Sequence, residues 1–195
     1  MSDVAAIVLA AGRGTRFGEE PKLLARLGGK PLVRHVAEAA AHSRAHPVIV
    51  VTGHRAEEVE FQLQGLPVGI VRNDLFGDGL STSLKAGFSA LPPETRAAIV
   101  LLGDMPFVTT ELIDALIAGW QEKGEPAALI PTYGGQRGNP VVLSCALQAA
   151  VKTLSGDTGA GLILRGRTDV VEWPTDDAAI VRDIDTLEEF SKYQS

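Results

Sequence analysis

Three cationic residues close to a glycine-rich stretch are the first candidates for phosphate chemistry in this sequence. Arg13 and Arg16 lie within IVLAAGRGTRFG at residues 7–18, and Lys22 follows shortly after. An apolar strand that runs into a glycine-rich loop can bind an anion, because the backbone N–H groups of the loop point at phosphate oxygens. The stretch therefore predicts a phosphate-binding loop, with a tight turn carrying solvated arginines as the alternative.

Aspartates further along the chain are candidates for a metal site. Asp104 follows the buried run AAIVLL, which places it at the carboxyl end of a predicted strand, where open α/β sheets bind their ligands. Asp183 and Asp185 are two residues apart, so they share a face in an extended segment. Mg²⁺ is commonly held by one or two carboxylates together with substrate phosphates, so either residue could complete a magnesium site with Asp104.

The surrounding residues indicate which of the known kinds of phosphate-binding loop this stretch does not match. No GK[ST] ending follows the glycines, which excludes a Walker A loop. The dinucleotide-binding fingerprint expects an acidic residue at the end of the second strand, whereas this chain has Thr52, Gly53 and His54 there. With no activated nucleophile evident, phosphoryl transfer would depend on positioning and on electrostatic stabilisation.

Composition limits the class of protein. The chain has 195 residues, of which 45% are hydrophobic and 22% charged, and this predicts one globular domain over residues 1–195. A net charge of -6 argues against a nucleic-acid partner. Cys145 is the only cysteine, so an intramolecular disulfide is excluded. No basic leader or long apolar stretch is visible, and we expect a cytoplasmic protein with no membrane contact.

Predicted strands and helices alternate through the first two thirds of the chain. Such alternation implies an α/β fold with a largely parallel sheet and helices on both faces. The apolar β-branched runs predict strands at 4–10, 47–52, 68–71 and 97–102, and helical periodicity predicts helices at 31–43, 55–64, 80–91 and 109–124. Later segments are less regular, and they predict strands at 127–133, 139–144, 169–174 and 179–185 and helices at 146–154, 158–166 and 186–193.

Six motifs resemble those of one nucleotidyltransferase family. In chain order they are LAAGRGTRFG with PKLL, GDGLSTSLKAG, LLGDMPFV, RGNPVVL, GDTGAG and RDIDTLEEF. This order is similar to that of the MobA-like molybdenum cofactor nucleotidyltransferases. The resemblance implies a three-layer α/β/α Rossmann-like fold and Mg²⁺-dependent transfer of a nucleotide to the phosphate of a molybdopterin cofactor. Because LAAG is typical of CTP-using members and LAGG of GTP-using members, Ala11 points to CTP.

The same resemblance implies roles for individual residues. Arg16, Lys22 and Asp104 would be catalytic, and Asp104 and Asp185 would bind the metal, with Asp183 as a weaker candidate. The residues implied in nucleotide binding are Leu9, Ala10, Ala11, Gly12, Arg13, Gly14, Lys22, Gly79, Ser81 and Ser83. The residues implied on the molybdopterin side are Arg137, Asn139, Asp157 and Thr158.

Two departures from the family pattern concern the molybdopterin side. Gly161 stands where members often have arginine, and Arg165 or Arg167 could supply that cation instead. Asn139 stands where histidine is common. The alternatives are GTP as donor, a sugar or isoprenoid phosphate as acceptor, a carrier that delivers the cofactor to a molybdenum enzyme without chemistry, and a dinucleotide-binding oxidoreductase.

Overall fold

The computed structural model describes residues 3–18 and 21–193. Eight of the strands in these residues form one sheet in the order β10-β7-β9-β6-β1-β4-β5, with β8 paired to β7, and β2 and β3 form a separate hairpin. The strands are β1 (Val4–Ala10), β2 (Arg26–Leu27), β3 (Lys30–Pro31), β4 (Val48–Thr52), β5 (Gly69–Arg72), β6 (Ala97–Leu102), β7 (Ala128–Tyr133), β8 (Gln136–Arg137), β9 (Val141–Ser144) and β10 (Val170–Pro174).

The sheet is mostly parallel, as the sequence predicts. Strand β1 lies at its centre and pairs in parallel with both β4 and β6, and β4 continues in parallel to β5. Strand β9 runs antiparallel between β6 and β7, and β10 pairs in parallel with β7 at the far edge. The carboxyl ends of β1, β4 and β6 therefore meet at one edge of the sheet.

Helices connect the strands and cover the sheet. They are α1 (Leu32–His42), α2 (Ala56–Gln62), α3 (Leu80–Ser89), α4 (Thr110–Glu122), α5 (Gln148–Thr153), α6 (Gly161–Leu164) and α7 (Leu187–Ser191). Helix α4 begins where predicted, because the Thr109 hydroxyl accepts a hydrogen bond from the Leu112 N–H, and it stops before Gly124, which has a positive φ.

Alternate residues of β1 build two cores, one on each side of the sheet. Val4, Ala6 and Val8 face the side covered by α1, α2 and α4, whereas Ile7 and Leu9 face the side covered by α3 and α5. The result is the expected three-layer α/β/α arrangement.

A smaller apolar cluster joins the end of the described chain to its beginning. It consists of Phe17, Leu32, Ile184 and Phe190. The rings of Phe17 and Phe190 meet edge to face with their centroids 5.6 Å apart. This contact fixes α7 against the loop that follows β1.

One predicted strand is wrong. The sequence predicts a strand at residues 179–185, yet the structure has a 3₁₀ turn at Ala178–Val181, and residues 182–185 lie outside the sheet. Their backbone groups bind loops instead, since the Asn139 N–H donates to the Ile180 carbonyl and the Ile184 N–H donates to the Asp104 carbonyl. The helices predicted at 146–154 and 158–166 are shorter in the structure, and the β2–β3 hairpin was not predicted.

The described residues contain no helix that is both long enough and apolar enough to cross a lipid bilayer.

Candidate functional site

A cavity of about 680 Å³ opens at the carboxyl ends of β1 and β6. Its wall carries three cations and four carboxylates: Arg13, Arg16, Lys22, Asp104, Asp157, Asp183 and Asp185. Of the other residues predicted to bind a nucleotide, those that line it are Leu9, Ala11, Gly12, Gly14, Gly79 and Ser83. Ala10 and Ser81 are buried behind the wall. The cavity is large enough for a small-molecule ligand.

The glycine-rich loop brings Lys22 close to the end of β1. Gly14 has a φ of 60°, and a Cβ built on it would lie only 2.8 Å from the Lys22 Cβ. The Phe17 N–H donates to the Gly14 carbonyl and closes a 3₁₀ turn at Thr15–Phe17. Glycine at position 14 is therefore required both by the left-handed backbone and by the approach of Lys22.

Lys22 links the two predicted metal ligands. Its Nζ lies 2.6 Å from Asp104 Oδ2 and 2.5 Å from Asp185 Oδ1, and the residue is only 7% exposed. Burial lowers the pKa of the Lys22 ammonium, but the adjacent carboxylates of Asp104 and Asp185 outweigh it and raise the pKa above the ordinary value. Lys22 is therefore charged at neutral pH, and the three residues form a compact ionic cluster.

Arg16 and Asp183 lie at the same end of the cavity, but of these two described residues only Arg16 pairs with a member of this cluster. Arg16 Nη2 lies 2.7 Å from Asp185 Oδ2, while its side chain is 76% exposed and free to turn toward a ligand. Asp183 lines the cavity without an ion pair to Lys22 among the described residues. Burial of its carboxyl group, followed by the charges of Asp185 and Asp104, raises the pKa of Asp183. The structure therefore brings Asp185, rather than Asp183, to Lys22 and Arg16.

The carboxylates fit a divalent cation that takes most of its ligands from a substrate. Asp104 Oδ1 is buried and has no hydrogen-bond partner among the described residues, so one oxygen is available. Within the same residues, no three His, Cys, Asp or Glu side chains are grouped so that they could hold a metal. Mg²⁺ commonly uses one or two carboxylates and completes its shell with water and phosphate oxygens. Asp104 and Asp185 match that requirement once Lys22 moves away from them.

A stack of side chains forms the wall beside the glycine loop. The Arg13 guanidinium lies 5.5 Å from the centroid of the Phe76 ring, and the His54 ring lies 5.9 Å from it on centroids. Ala11, which also lines the cavity, is close to this stack, because a Cβ built on Gly53 would be 2.9 Å from the Ala11 Cβ and 2.8 Å from the Phe76 Cβ. A change of volume at Ala11 would therefore alter the cavity wall next to Phe76.

Asn73 organises the segment that leads into α3. Its side-chain amide donates to Thr82 Oγ1 at 2.8 Å and to Ser83 Oγ at 3.0 Å, and its Oδ1 accepts from the Leu75 N–H at 3.0 Å. Ser83 thus reaches the cavity wall while its hydroxyl is bonded to Asn73. Ser81 Oγ is buried with no hydrogen-bond partner among the residues described.

The GDTG segment packs directly on the start of α3. A Cβ built on Gly79, whose φ is 105°, would lie 2.3 Å from the carbonyl carbon of Gly156. The Ser81 N–H donates to the Gly156 carbonyl at 3.2 Å, and the Leu80 N–H donates to Asp157 Oδ1 at 3.3 Å. The segment predicted to contact the acceptor and the one predicted to contact the nucleotide are therefore one packed unit.

Gly79→Ala is expected to lower the free energy of unfolding by more than about 1 kcal/mol, because alanine is strained at this φ and its methyl group would displace the Gly156 backbone. Urea denaturation measures this loss. Gly161→Ala is the matched control, since a Cβ there meets nothing within 4 Å. Equal stability of the two variants would contradict the close packing of the two segments.

The other residues predicted on the molybdopterin side do not line the cavity. Arg137 lies on β8 and its Nε donates to Glu172 Oε1 at 2.7 Å. Thr158 donates its hydroxyl to the Ser155 carbonyl within its own loop, and Asn139 is half-buried beside Ile180. Arg167, considered as a replacement cation, forms a bidentate pair with Asp169. Of the four predicted residues, only Asp157 faces the cavity.

Three residues at the site were missed by the sequence analysis. Asn73 and Phe76 shape the cavity wall, and Glu189 accepts hydrogen bonds from the Asp185 and Thr186 N–H groups. These backbone donors hold the pKa of Glu189 below its usual value. A signal for Glu189 was present, because Thr186 followed three residues later by glutamate is a capping-box pattern. No comparable pattern marks Asn73 or Phe76.

The sequence matches known proteins along most of its length. A model of the MobA-like NTP transferase domain matches residues 6–171. Nicotine blue oxidoreductase from Paenarthrobacter nicotinovorans is 30% identical over 192 residues, which are 95% of this chain and 94% of that protein. The bifunctional protein GlmU from Bacillus cereus strain AH820 is 32% identical over 134 residues, covering 68% of this chain but only 29% of GlmU.

Solved structures share the fold. A homolog of Mycobacterium tuberculosis Rv0371c from Mycobacterium sp. strain JC1 is 29% identical with a TM-score of 0.83, covering 98% of this chain and 95% of that one. A nucleotidyl transferase from Methanothermobacter thermautotroptrophicus is 25% identical with the same TM-score and coverage.

Two solved structures are similar in fold alone. Rv0371c of M. tuberculosis H37Rv in complex with manganese is 23% identical (TM-score 0.78), covering 99% of this chain and 98% of that one. Molybdopterin-guanine dinucleotide biosynthesis protein A from Archaeoglobus fulgidus is 20% identical (TM-score 0.71), covering 97% of this chain and 96% of that one.

Proposed function

This chain belongs to the MobA-like NTP transferase family, and on that basis we propose that it transfers CMP from CTP to the terminal phosphate of a molybdopterin-type cofactor. An oxygen of the acceptor phosphate attacks the α-phosphorus of CTP. A bond forms between them as the bond from the α-phosphorus to the bridging oxygen breaks, and pyrophosphate leaves. The observation that carries the proposal is the position of Lys22, buried between two carboxylates beside a glycine-rich loop.

The charged residues of the cavity have distinct roles in this reaction. Lys22 leaves Asp104 and Asp185 for the triphosphate, and Arg16 turns from Asp185 to the same group; both offset the charge that develops on pyrophosphate. Asp104 and Asp185 would then hold Mg²⁺, which supplies charge stabilisation to the phosphates when bound. The glycine loop orients the triphosphate through its backbone N–H groups. No covalent intermediate with the protein is required.

The choice of CTP and the choice of acceptor have separate support. Ala11 lines the cavity together with Arg13 and Phe76, so its methyl group can influence the space left for a base. Asp157 reaches the cavity from the GDTG segment, which is the segment that resembles the molybdopterin side of the family. A molybdenum enzyme would be the recipient of the modified cofactor.

Pyrophosphate release tests the proposal directly. The purified protein is given molybdopterin, Mg²⁺ and each nucleoside triphosphate in turn, and we expect product with CTP at a rate well above that with GTP. Product with GTP alone would contradict the base assignment. Product only with a sugar phosphate or an isoprenoid precursor would contradict the acceptor. Molybdopterin binding without pyrophosphate from any triphosphate would identify a carrier instead.

A second candidate function is an oxidoreductase that binds a dinucleotide. The likeness to nicotine blue oxidoreductase over nearly the full length of both chains favours it. At the end of β4, the Thr52 hydroxyl donates to Glu60 and Glu60 forms a bidentate pair with Arg72, so this carboxylate is already engaged by the protein. A rise in melting temperature with NADH or NADPH, and none with CTP and Mg²⁺, would favour the oxidoreductase.

A further inference from the structure

The short segment that carries Asp185 is held at both ends by backbone hydrogen bonds. On one side, the Ile184 N–H donates to the Asp104 carbonyl at 3.0 Å, which ties the backbones of the two aspartate segments together. On the other side, the N–H groups of Asp185 and Thr186 donate to Glu189 Oε2 at 2.8 and 3.0 Å. The carboxylate of Glu189 thus fixes the backbone from which the Asp185 side chain extends.

Glu189 is itself held in place by the start of α7. Its N–H donates to the Thr186 hydroxyl at 3.2 Å, so Thr186 and Glu189 cap one another reciprocally. The next residue, Phe190, packs in the apolar cluster with Phe17 and Ile184. This cluster anchors α7 to the loop after β1, and Glu189 then sets the position of Asp185 relative to that anchored helix.

A capping box needs only one bond from the glutamate to the backbone of the cap residue, Thr186. Glu189 makes a second bond, to the Asp185 N–H, which the cap does not require. Asp185 is the residue whose two carboxylate oxygens contact Lys22 and Arg16. The extra bond therefore connects the helix cap to the ionic cluster of the cavity.

We propose that Glu189 is a positioning residue for nucleotidyl transfer, holding the Asp185 backbone so that the Asp185 carboxylate meets Lys22 in the free protein and the divalent cation in the nucleotide complex. The inference rests on the proposed function for its reaction, while its metal-binding part can be measured without turnover. Glu189 is not among the described residues that line the cavity, so it would act through Asp185. Residues that orient metal ligands typically change metal affinity by about 10- to 100-fold when replaced.

Three substitutions of Glu189 and one of its neighbour test this role. Glu189→Ala removes the acceptor, Glu189→Gln keeps an oxygen at the same reach, and Glu189→Asp keeps the charge but shortens the reach. Glu188→Ala is the matched control, since the Glu188 side chain is 88% exposed and pairs only with Lys192 at 3.6 Å among the described residues. Mn²⁺ binding is measured by electron paramagnetic resonance with CTP present and no acceptor, alongside turnover and melting temperature.

We expect Glu189→Ala and Glu189→Asp to weaken Mn²⁺ binding by about 10-fold or more and to lower kcat while KM for CTP changes little. Glu189→Gln should restore Mn²⁺ affinity to nearly the wild-type value, and Glu188→Ala should retain it. The Asp and Gln variants keep the test decisive if the alanine variant does not fold.

A lower melting temperature with unchanged Mn²⁺ affinity in the Ala and Asp variants would reduce Glu189 to a helix cap and overturn the proposal. Failure of Glu189→Gln to bind Mn²⁺ better than Glu189→Ala would also overturn it. If the wild-type protein released no pyrophosphate while Mn²⁺ binding followed the expected order, the proposed reaction would fail and the positioning role would stand.

Discussion

Lys22→Ala is expected to reduce the rate of nucleotidyl transfer by about 10²- to 10³-fold, the usual cost of removing one preorganised charge from a transition state. The ammonium is buried beside the glycine loop and is held there by two carboxylates, so no other described lysine can replace it. Initial rates of pyrophosphate release measure the effect. Lys152→Ala is the control, because Lys152 is exposed on α5. A variant within threefold of the wild-type rate would refute the assigned role.

The same substitution is expected to strengthen the binding of Mg²⁺ in the absence of a nucleotide. Without the ammonium, Asp104 and Asp185 lose their shared counter-charge and become available to a cation. We therefore expect Mg²⁺ alone to raise the melting temperature of Lys22→Ala more than that of the wild-type protein. This measurement separates loss of charge at the site from general misfolding, because an unfolded variant would show no stabilisation.

Asp104→Asn is expected to lower turnover by at least about 100-fold while leaving the fold intact. Asparagine has nearly the same shape, and the Asp104 carbonyl that accepts from the Ile184 N–H is retained. What is lost is the negative charge that pairs with Lys22 and one of the two carboxylate oxygens, so the side chain can no longer offer a cation a charged oxygen as Asp104 does with Oδ1. Turnover is measured across a Mg²⁺ titration, with circular dichroism to confirm folding.

Asp183→Asn is the informative comparison for Asp104→Asn. Asp183 shares the cavity but makes no ion pair with Lys22 among the described residues, so its replacement should cost much less turnover. If Asp183→Asn were as damaging as Asp104→Asn and Asp185→Asn were mild, Asp183 would be the second metal ligand in place of Asp185.

The strand pattern made much of this architecture predictable. Continuous apolar runs gave the central strands β1, β4 and β6, and a parallel sheet brings their carboxyl ends together, which placed Asp104 beside the glycine loop. The approach of Asp185 was less predictable. Lys22 and Asp185 are 163 positions apart, and their contact depends on packing that leaves no local pattern.

The local sequence led to a wrong strand prediction in the segment that contains Asp185. The run AIVRDID at 179–185 has the apolar residues of a strand, but its N–H groups donate to the Asp104 carbonyl and the Glu189 carboxylate rather than to a neighbouring strand. The ion pair of Arg137 shows the same limit, since the RGNP motif does not reveal that Glu172 lies close to it on β10, which like β8 pairs with β7. Contacts between distant loops decide both cases.

The contacts of Lys22 with Asp185 and of Phe17 with Phe190 also determine when the site can form during synthesis on the ribosome. The glycine loop is made early, and Asp104 can reach Lys22 once β6 has joined the sheet. Asp185 and the apolar residue that anchors its helix are made long afterwards, and long-range contacts of this kind close slowly. A nascent chain therefore carries the glycine-rich loop well before it carries both carboxylates, and the ionic cluster is completed only when the last helix that the structure describes has been made.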